Sequence, residues 1–205
     1  MSTLLEELAL LSYDGTTGRP AGYLDLGLGG AVLYELALAG RIGLDGKKVR
    51  VLDPAPTGDP VVDARLAAIA ADKPRSAHAA VERTAKRLLP TVRDGLVAAG
   101  VLRRERGKAL GIFPVDRYRP QHRSAAAGIR TRLASAVRTG RFDERTAALL
   151  ALVAAVRMEK AVFADRQTRP SRKEFKAFAE AHWVGAATRK AVANRDGANA
   201  AAASS

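Results

Sequence analysis

Ala147 to Val156, AALLALVAAV, is a run of ten consecutive apolar residues. A helix that is apolar on every side has no face for water, so it must lie inside a shell of other elements. Ten residues fall well short of the roughly 20 that a bilayer-spanning helix needs. Asp143 stands in the N-cap position ahead of the run, which predicts a buried central helix over 143–158. The rest of the chain therefore has to supply the cover.

Helical periodicity supplies most of it. Leu4, Leu5, Leu8 and Leu11 predict a short amphipathic helix over Thr3–Leu11. Leu28, Val32, Leu36 and Ala39 form one stripe between Gly27 and Gly40, with Gly40 as the stop. The glycines at 27, 29 and 30 are poor helix formers and point to a close approach by another backbone or a ligand. Asp59 followed by Pro60 reads as the cap and first residue of a helix ending near Asp72. Residues 76–99 are helical in pattern, with Pro90 either starting a new helix or kinking a longer one. Helices are predicted over 123–139 and 171–192. Two stretches alternate instead. Arg41–Asp53 reads as a hairpin turning at Asp45-Gly46, and Val101–Val115 as a second hairpin with Gly107 near its turn. The fold class expected is mainly α, a helical bundle around a buried apolar helix, with two short β-hairpins. Residues 1–192 form a single domain, and 193–205, which are low in complexity, form a disordered tail.

The composition removes several function classes. The chain has no cysteine, which excludes disulfides, thiolate metal sites and cysteine nucleophiles. His78, His122 and His182 are far apart and form no metal-ligand pair, so no metal and no cofactor is expected. Gly27-x-Gly29-Gly30 lacks the preceding strand and the spacing of a nucleotide fingerprint. The acidic pairs Glu6-Glu7 and Asp143-Glu144 sit at helix starts, where they complement the helix dipole and are not placed for catalysis. No secretory signal is read at the N-terminus, where Glu6 and Glu7 interrupt the apolar stretch. A cytoplasmic binding protein without catalytic activity is the expectation. Arginine outnumbers lysine 25 to 9, a composition that fits a GC-rich bacterial source.

Charge is distributed unevenly. The chain carries a net +13. Residues 1–82 carry 8 basic and 11 acidic side chains, whereas 83–142 carry 15 basic and only 3 acidic. A block this dense creates a local positive potential and calls for an anionic partner. Arg83, Lys86 and Arg93 share a helical face if the helix runs unbroken. Arg103, Arg104, Arg106 and Lys108 decorate the second hairpin, and Leu110, Ile112 and Phe113 lie at its far end. Apolar residues ringed by cations suit an anionic bilayer, where the apolar tip enters the interface and the cations meet phosphates. Packing of the same three residues onto the helices is the other reading.

Several segments together resemble the Golgi phosphoprotein 3 family. They are Thr3 to Leu11 (TLLEELALL), Gly27-Leu28-x-Gly30 with Leu33-x-Glu35-Leu36-Ala37-Leu38-x-Gly40-Arg41-Ile42, Ala55-Pro56-Thr57-Gly58-Asp59, Leu96-Val97-x-x-Gly100-Val101-Leu102, and Arg132-Leu133 through the apolar run. The resemblance implies a peripheral membrane protein that recognises phosphatidylinositol 4-phosphate, with a hydrophobic hairpin loop entering the bilayer. It implies a head-group pocket built from a tryptophan, an arginine within the G-L-x-G motif and two arginines on a later helix. In this chain the motif arginine falls on Gly29, the tryptophan near Pro20 with Tyr23 the nearest aromatic, and the helix arginines on Lys86 and Leu89.

The reading that follows is a peripheral protein for anionic membrane phospholipids, a phosphoinositide or a bacterial equivalent. Lys86, Arg87, Arg83 and Arg93 hold phosphate, with Arg19 and Tyr23 joining from the glycine-rich side. Leu110, Ile112 and Phe113 anchor. The alternative is a winged-helix-like nucleic-acid binder, with 91–99 as recognition helix and the basic hairpin as wing. Only Thr91, Arg93 and Asp94 on that helix could read bases.

Overall fold

The structure, a computed structural model of the chain, describes residues 2–13, 18–109 and 113–204. Among the described residues it contains ten helices and two antiparallel hairpins. The first half runs α1 (Leu4–Ser12), α2 (Leu24–Leu38), β1 (Ile42–Asp45), β2 (Lys48–Val51), α3 (Pro60–Ala71), α4 (Ala77–Ala85) and α5 (Leu88–Ala98). The second runs β3 (Leu102–Ala109), β4 (Phe113–Pro120), α6 (Arg123–Thr139), α7 (Glu144–Ala155), α8 (Glu159–Val162), α9 (Arg172–Glu180) and α10 (Trp183–Ala203). Mainly α with two short hairpins is the observed class.

Two helices share the centre. On α7, Ala148 to Ala155 are all buried, as a helix with no polar side requires. On α2, eleven residues between Leu24 and Leu36 are buried, three of them glycines. Each glycine faces a different neighbour. A Cβ on Gly27 would meet Leu8 and Val156, one on Gly29 would lie 2.6 Å from the Val81 carbonyl oxygen, and one on Gly30 would strike Thr188 and Leu152. The close approach that the glycines signal is thus to packed protein, not to a ligand.

Paired ions tie the outer helices to this centre. Glu35 on α2 takes both terminal nitrogens of Arg145 on α7 at 3.0 Å and also accepts from the Leu4 amide at 2.7 Å. Glu6 closes a capping box with Thr3, as its place at a helix start predicts. Its neighbour Glu7 does something else. It is 5% exposed and receives a bidentate contact from Arg132 on α6.

Boundaries depart from expectation at four places. In the first hairpin Asp45 pairs with Lys48, so the two-residue loop is Gly46-Lys47. Only Gly46 has a positive φ there, whereas a type I′ turn at Asp45-Gly46 needs two such residues. In the second hairpin Gly107 pairs with Val115 inside the ladder, and the strands continue to Ala109 and from Phe113. The single helix predicted over 171–192 is two, α9 and α10, with His182 capping the second. Finally, α10 continues to Ala203 through the segment for which disorder is expected. Its alanines favour helix, and Arg195 pairs with Asp25 while Asp196 pairs with Tyr23 and Arg157.

The start of α10 is sensitive to pH. His182 Nδ1 accepts the Val184 amide at 3.3 Å and its ring stacks on Tyr34. Burial lowers the His182 pKa below its ordinary value of 6.5. The cap is therefore complete above about pH 6.5 and is lost as pH falls through the lower folded-state value. The melting temperature should drop as pH falls from about 7.5 to 5. His182→Asn, which keeps an acceptor without a titrating ring, should flatten that slope; an equally steep fall in the variant refutes the assignment.

Candidate functional site

Pro90 creates the site from a distance. Lacking an N–H, it cannot bond to the carbonyl four residues back, which is Lys86, and its ring crowds that carbonyl. The helix therefore stops before it. Lys86 caps α4, Arg87 turns with φ of 58°, and α5 starts at Leu88 with Pro90 in its first turn. The freed Lys86 carbonyl accepts instead from the Arg65 guanidinium at 3.1 Å, which draws the α3 arginine towards the break.

Around this break lies a cavity of about 530 Å³. Val49, Ala68, Ile69 and Ala80 give it an apolar floor, and Arg65, Lys73, Arg75, Arg83, Lys86 and Arg87 give it six cations. The loop between α3 and α4 is fixed across it by β2, because the Val49 amide donates to the Arg75 carbonyl at 2.8 Å. Asp72 is the one acid among the lining residues. It takes both Arg75 nitrogens, at 2.9 and 3.1 Å, and Arg83 at 3.3 Å. The Arg75 hydrogen bonds pull the Asp72 pKa down to about 2, so this carboxylate stays ionised and engaged. The side chains of Lys73, Lys86 and Arg87 have no hydrogen-bond or ion-pair partner among the described residues.

Of the predicted phosphate ligands, Arg83, Lys86 and Arg87 come together here. Arg93 does not. The break at Lys86–Arg87 resets the helical phase, and Arg93 points to the opposite side of α5. Its Nε donates to the Tyr13 hydroxyl at 2.6 Å, and its guanidinium lies 4.8 Å from the Tyr118 ring centroid. Arg19 sits in the loop before α2 and lines none of these cavities. Tyr23 caps α2 on the far side, bonded to Asp196 under Arg157. Leu110 and Ile112 lie outside the described residues, and of Phe113 only the backbone, at the start of β4, is described. Along the hairpin, Arg103 and Arg119 pair with Glu105, and Arg104 with Asp116. Much of its charge is thus satisfied within the two strands.

The family model described as Golgi phosphoprotein 3 (GPP34) matches residues 4–195. The chain belongs to the Golgi phosphoprotein 3 family. A search of curated proteins found no significant match. The resemblance places the head-group residues at Gly29, Lys86 and Leu89 of this Golgi phosphoprotein 3 member. Gly29 is buried under α4, and a longer side chain there has nowhere to go. Lys86 and Leu89 instead border an open hollow roofed by Asn194, Arg195 and Ala198 of α10, where Asp25 and Glu82 offset much of the positive charge. The more strongly basic cavity lies on the other side of the α4–α5 junction, and Lys86 and Arg87 serve both. Arg65, Lys73 and Arg75 were not legible as site residues, since they come from the part of the chain whose net charge is negative. The one sequence signal for them is the spacing of Arg65 and Asp72 on one helix ahead of Lys73-Pro74-Arg75.

No helix among the described residues is long and apolar enough to cross a membrane.

Proposed function

We propose that this protein is a peripheral membrane protein without catalytic activity, and that it holds the phosphate of anionic phospholipid head groups. Phosphatidylinositol 4-phosphate is the head group that family membership favours. The observation that carries the reading is the cavity between α3, α4 and α5, with six cations around one engaged acid. Phosphate offers several acceptor oxygens, and arginines meet them as forks, in a partly dry setting where charge-assisted bonds are strong. Asp72 is held ionised by Arg75 and Arg83, so it supports the cation array and is not free to act as a general base. The protein would dock from the cytoplasmic side, with each near-surface cation contributing about 1 kcal/mol.

Co-sedimentation tests this. Vesicles of phosphatidylcholine with phosphatidylinositol 4-phosphate or phosphatidylglycerol should pull down the protein, and pure phosphatidylcholine should not. Equal recovery on neutral and anionic vesicles sinks the reading. Tight binding to random duplex DNA in its place would establish the nucleic-acid alternative, which has lost one of its few base-reading candidates now that Arg93 is held by Tyr13 and Tyr118.

A further inference from the structure

A second basic cleft, of about 770 Å³, opens between the end of α7, α8, α9 and the middle of α10. It is separate from the cavity described above, and no residue lines both. Net charge along the sequence conceals it, because residues 143–205 carry 11 basic against 7 acidic side chains. Folding sorts those charges. Glu180 is taken up by Arg189, Asp196 by Arg157, and Glu174 by the Ser171 capping box. Glu159 is the one acid that lines the cleft.

Four lining cations, Lys160, Arg172, Lys176 and Lys190, have side chains with no partner among the described residues. Arg172 and Lys176 are one helical turn apart on α9, so they share a face. The floor between the cations is apolar, formed by Ala154, Ala155, Phe175 and Val192.

The backbone at the mouth of the cleft is unusual. After α2 and α5 the chain turns through Gly40 and Gly100 in the left-handed region, each giving its amide to the carbonyl three residues back. The end of α7 has the same bonding, with Arg157 N to the Ala154 carbonyl at 3.5 Å and Met158 N to the Val153 carbonyl at 3.0 Å, as Arg41 N bonds to Leu36 and Val101 N to Leu96, but the turning residue is Arg157 with φ of 62°. Glycine is the usual occupant of that position, and another residue there is strained. Among the described residues, the two non-glycine positions with positive φ are Arg87 and Arg157. Arg87 lines the first cavity and Arg157 this cleft, where its guanidinium is held by Asp196 and lies over the Tyr23 ring.

We propose that this cleft is a second anion site, taking a phosphate monoester with an apolar body. The dianionic phosphate meets Lys160, Arg172, Lys176 and Lys190, and the body lies on the floor beside Phe175. The source is either a soluble ester or a monoester lipid such as phosphatidic acid.

The test uses the full chain carrying Lys86→Gln and Arg87→Gln, so that the first cavity is weakened and the two readings fail separately. Calorimetric titration with phenyl phosphate should give saturable binding in this background. Adding Lys176→Gln and Lys190→Gln should weaken it about tenfold, and inorganic phosphate should bind more weakly than phenyl phosphate. Arg138→Gln with Arg141→Gln, on α6 and its following loop, should change little. Absence of saturable binding, or an equal loss from the α6 control, overturns the proposal. Phosphatidic acid vesicles then separate the sources. Vesicle binding that is lost with Lys176→Gln and Lys190→Gln assigns the lipid, and vesicle binding that is unaffected while phenyl phosphate binding falls assigns a soluble ester.

Discussion

Gly29→Ala lowers stability by about 2 kcal/mol, and Gly29→Arg yields no folded protein. The alanine methyl would sit 2.6 Å from the Val81 carbonyl oxygen and 3.0 Å from both the nitrogen and Cβ of Ala85. The nearest atom is α4 backbone, which can give only by moving the helix. Overpacking of this kind costs about 1–3 kcal/mol, and the better helix propensity of alanine recovers up to about 1. An arginine at the same place would have to displace α4 altogether, a loss of more than about 4 kcal/mol. Gly30→Ala should be comparably costly, because its methyl would sit 2.4 Å from the Oγ1 of Thr188, which is fully buried, stiff at χ1 and donates to the Val184 carbonyl. Gly128→Ala is the internal control. It is on exposed α6 with nothing within 4 Å, and it should gain up to about 1 kcal/mol. Urea unfolding of the variants decides the matter. A Gly29→Ala protein stabilised like Gly128→Ala would show that α2 and α4 are not in close contact, and would reopen Gly29 as a place where a head-group arginine could be restored.

That contrast also shows what the sequence could and could not disclose. Local chemistry was legible: Asp59 with Pro60 and Asp143 cap the helices they were expected to cap. The all-apolar run lies in the core from Ala148 to Val156, and the glycines of α2 mark close approaches. Pairings that bridge distant segments were not legible. Nothing near Glu7 announces Arg132, and nothing near Arg93 announces Tyr13 or Tyr118. The site fell between these two cases. Three of its cations were expected from the basic block, but the face they share was misjudged. Pro90 was recognised as a breaker, yet its consequence falls at Lys86 and Arg87, because the lost hydrogen bond belongs to the residue four positions earlier. Periodicity carried through the break put Arg93 with Lys86. Terminating α4 there instead turns Lys86 and Arg87 towards Arg65, Lys73 and Arg75.

Lys86→Gln with Arg87→Gln should reduce partition onto anionic vesicles about thirtyfold, as two near-surface cations at about 1 kcal/mol each require. Both side chains lack partners among the described residues, so the melting temperature should hardly change. Arg87→Gly separates the two roles of one residue. The left-handed turn that costs an arginine suits a glycine, so stability should rise by about 1 kcal/mol while vesicle affinity falls about fivefold. Opposite signs in one variant distinguish a binding cation from a structural one, because loss of a structural contact would lower both together. The cation count also predicts a steep salt dependence, since exposed charges are screened over about 8 Å at physiological ionic strength. If Arg87→Gly gains stability and keeps full vesicle affinity, Arg87 does not contact the membrane and the head group is held elsewhere. If it loses stability, the strained turn is supported by contacts of the arginine that a bare backbone cannot replace.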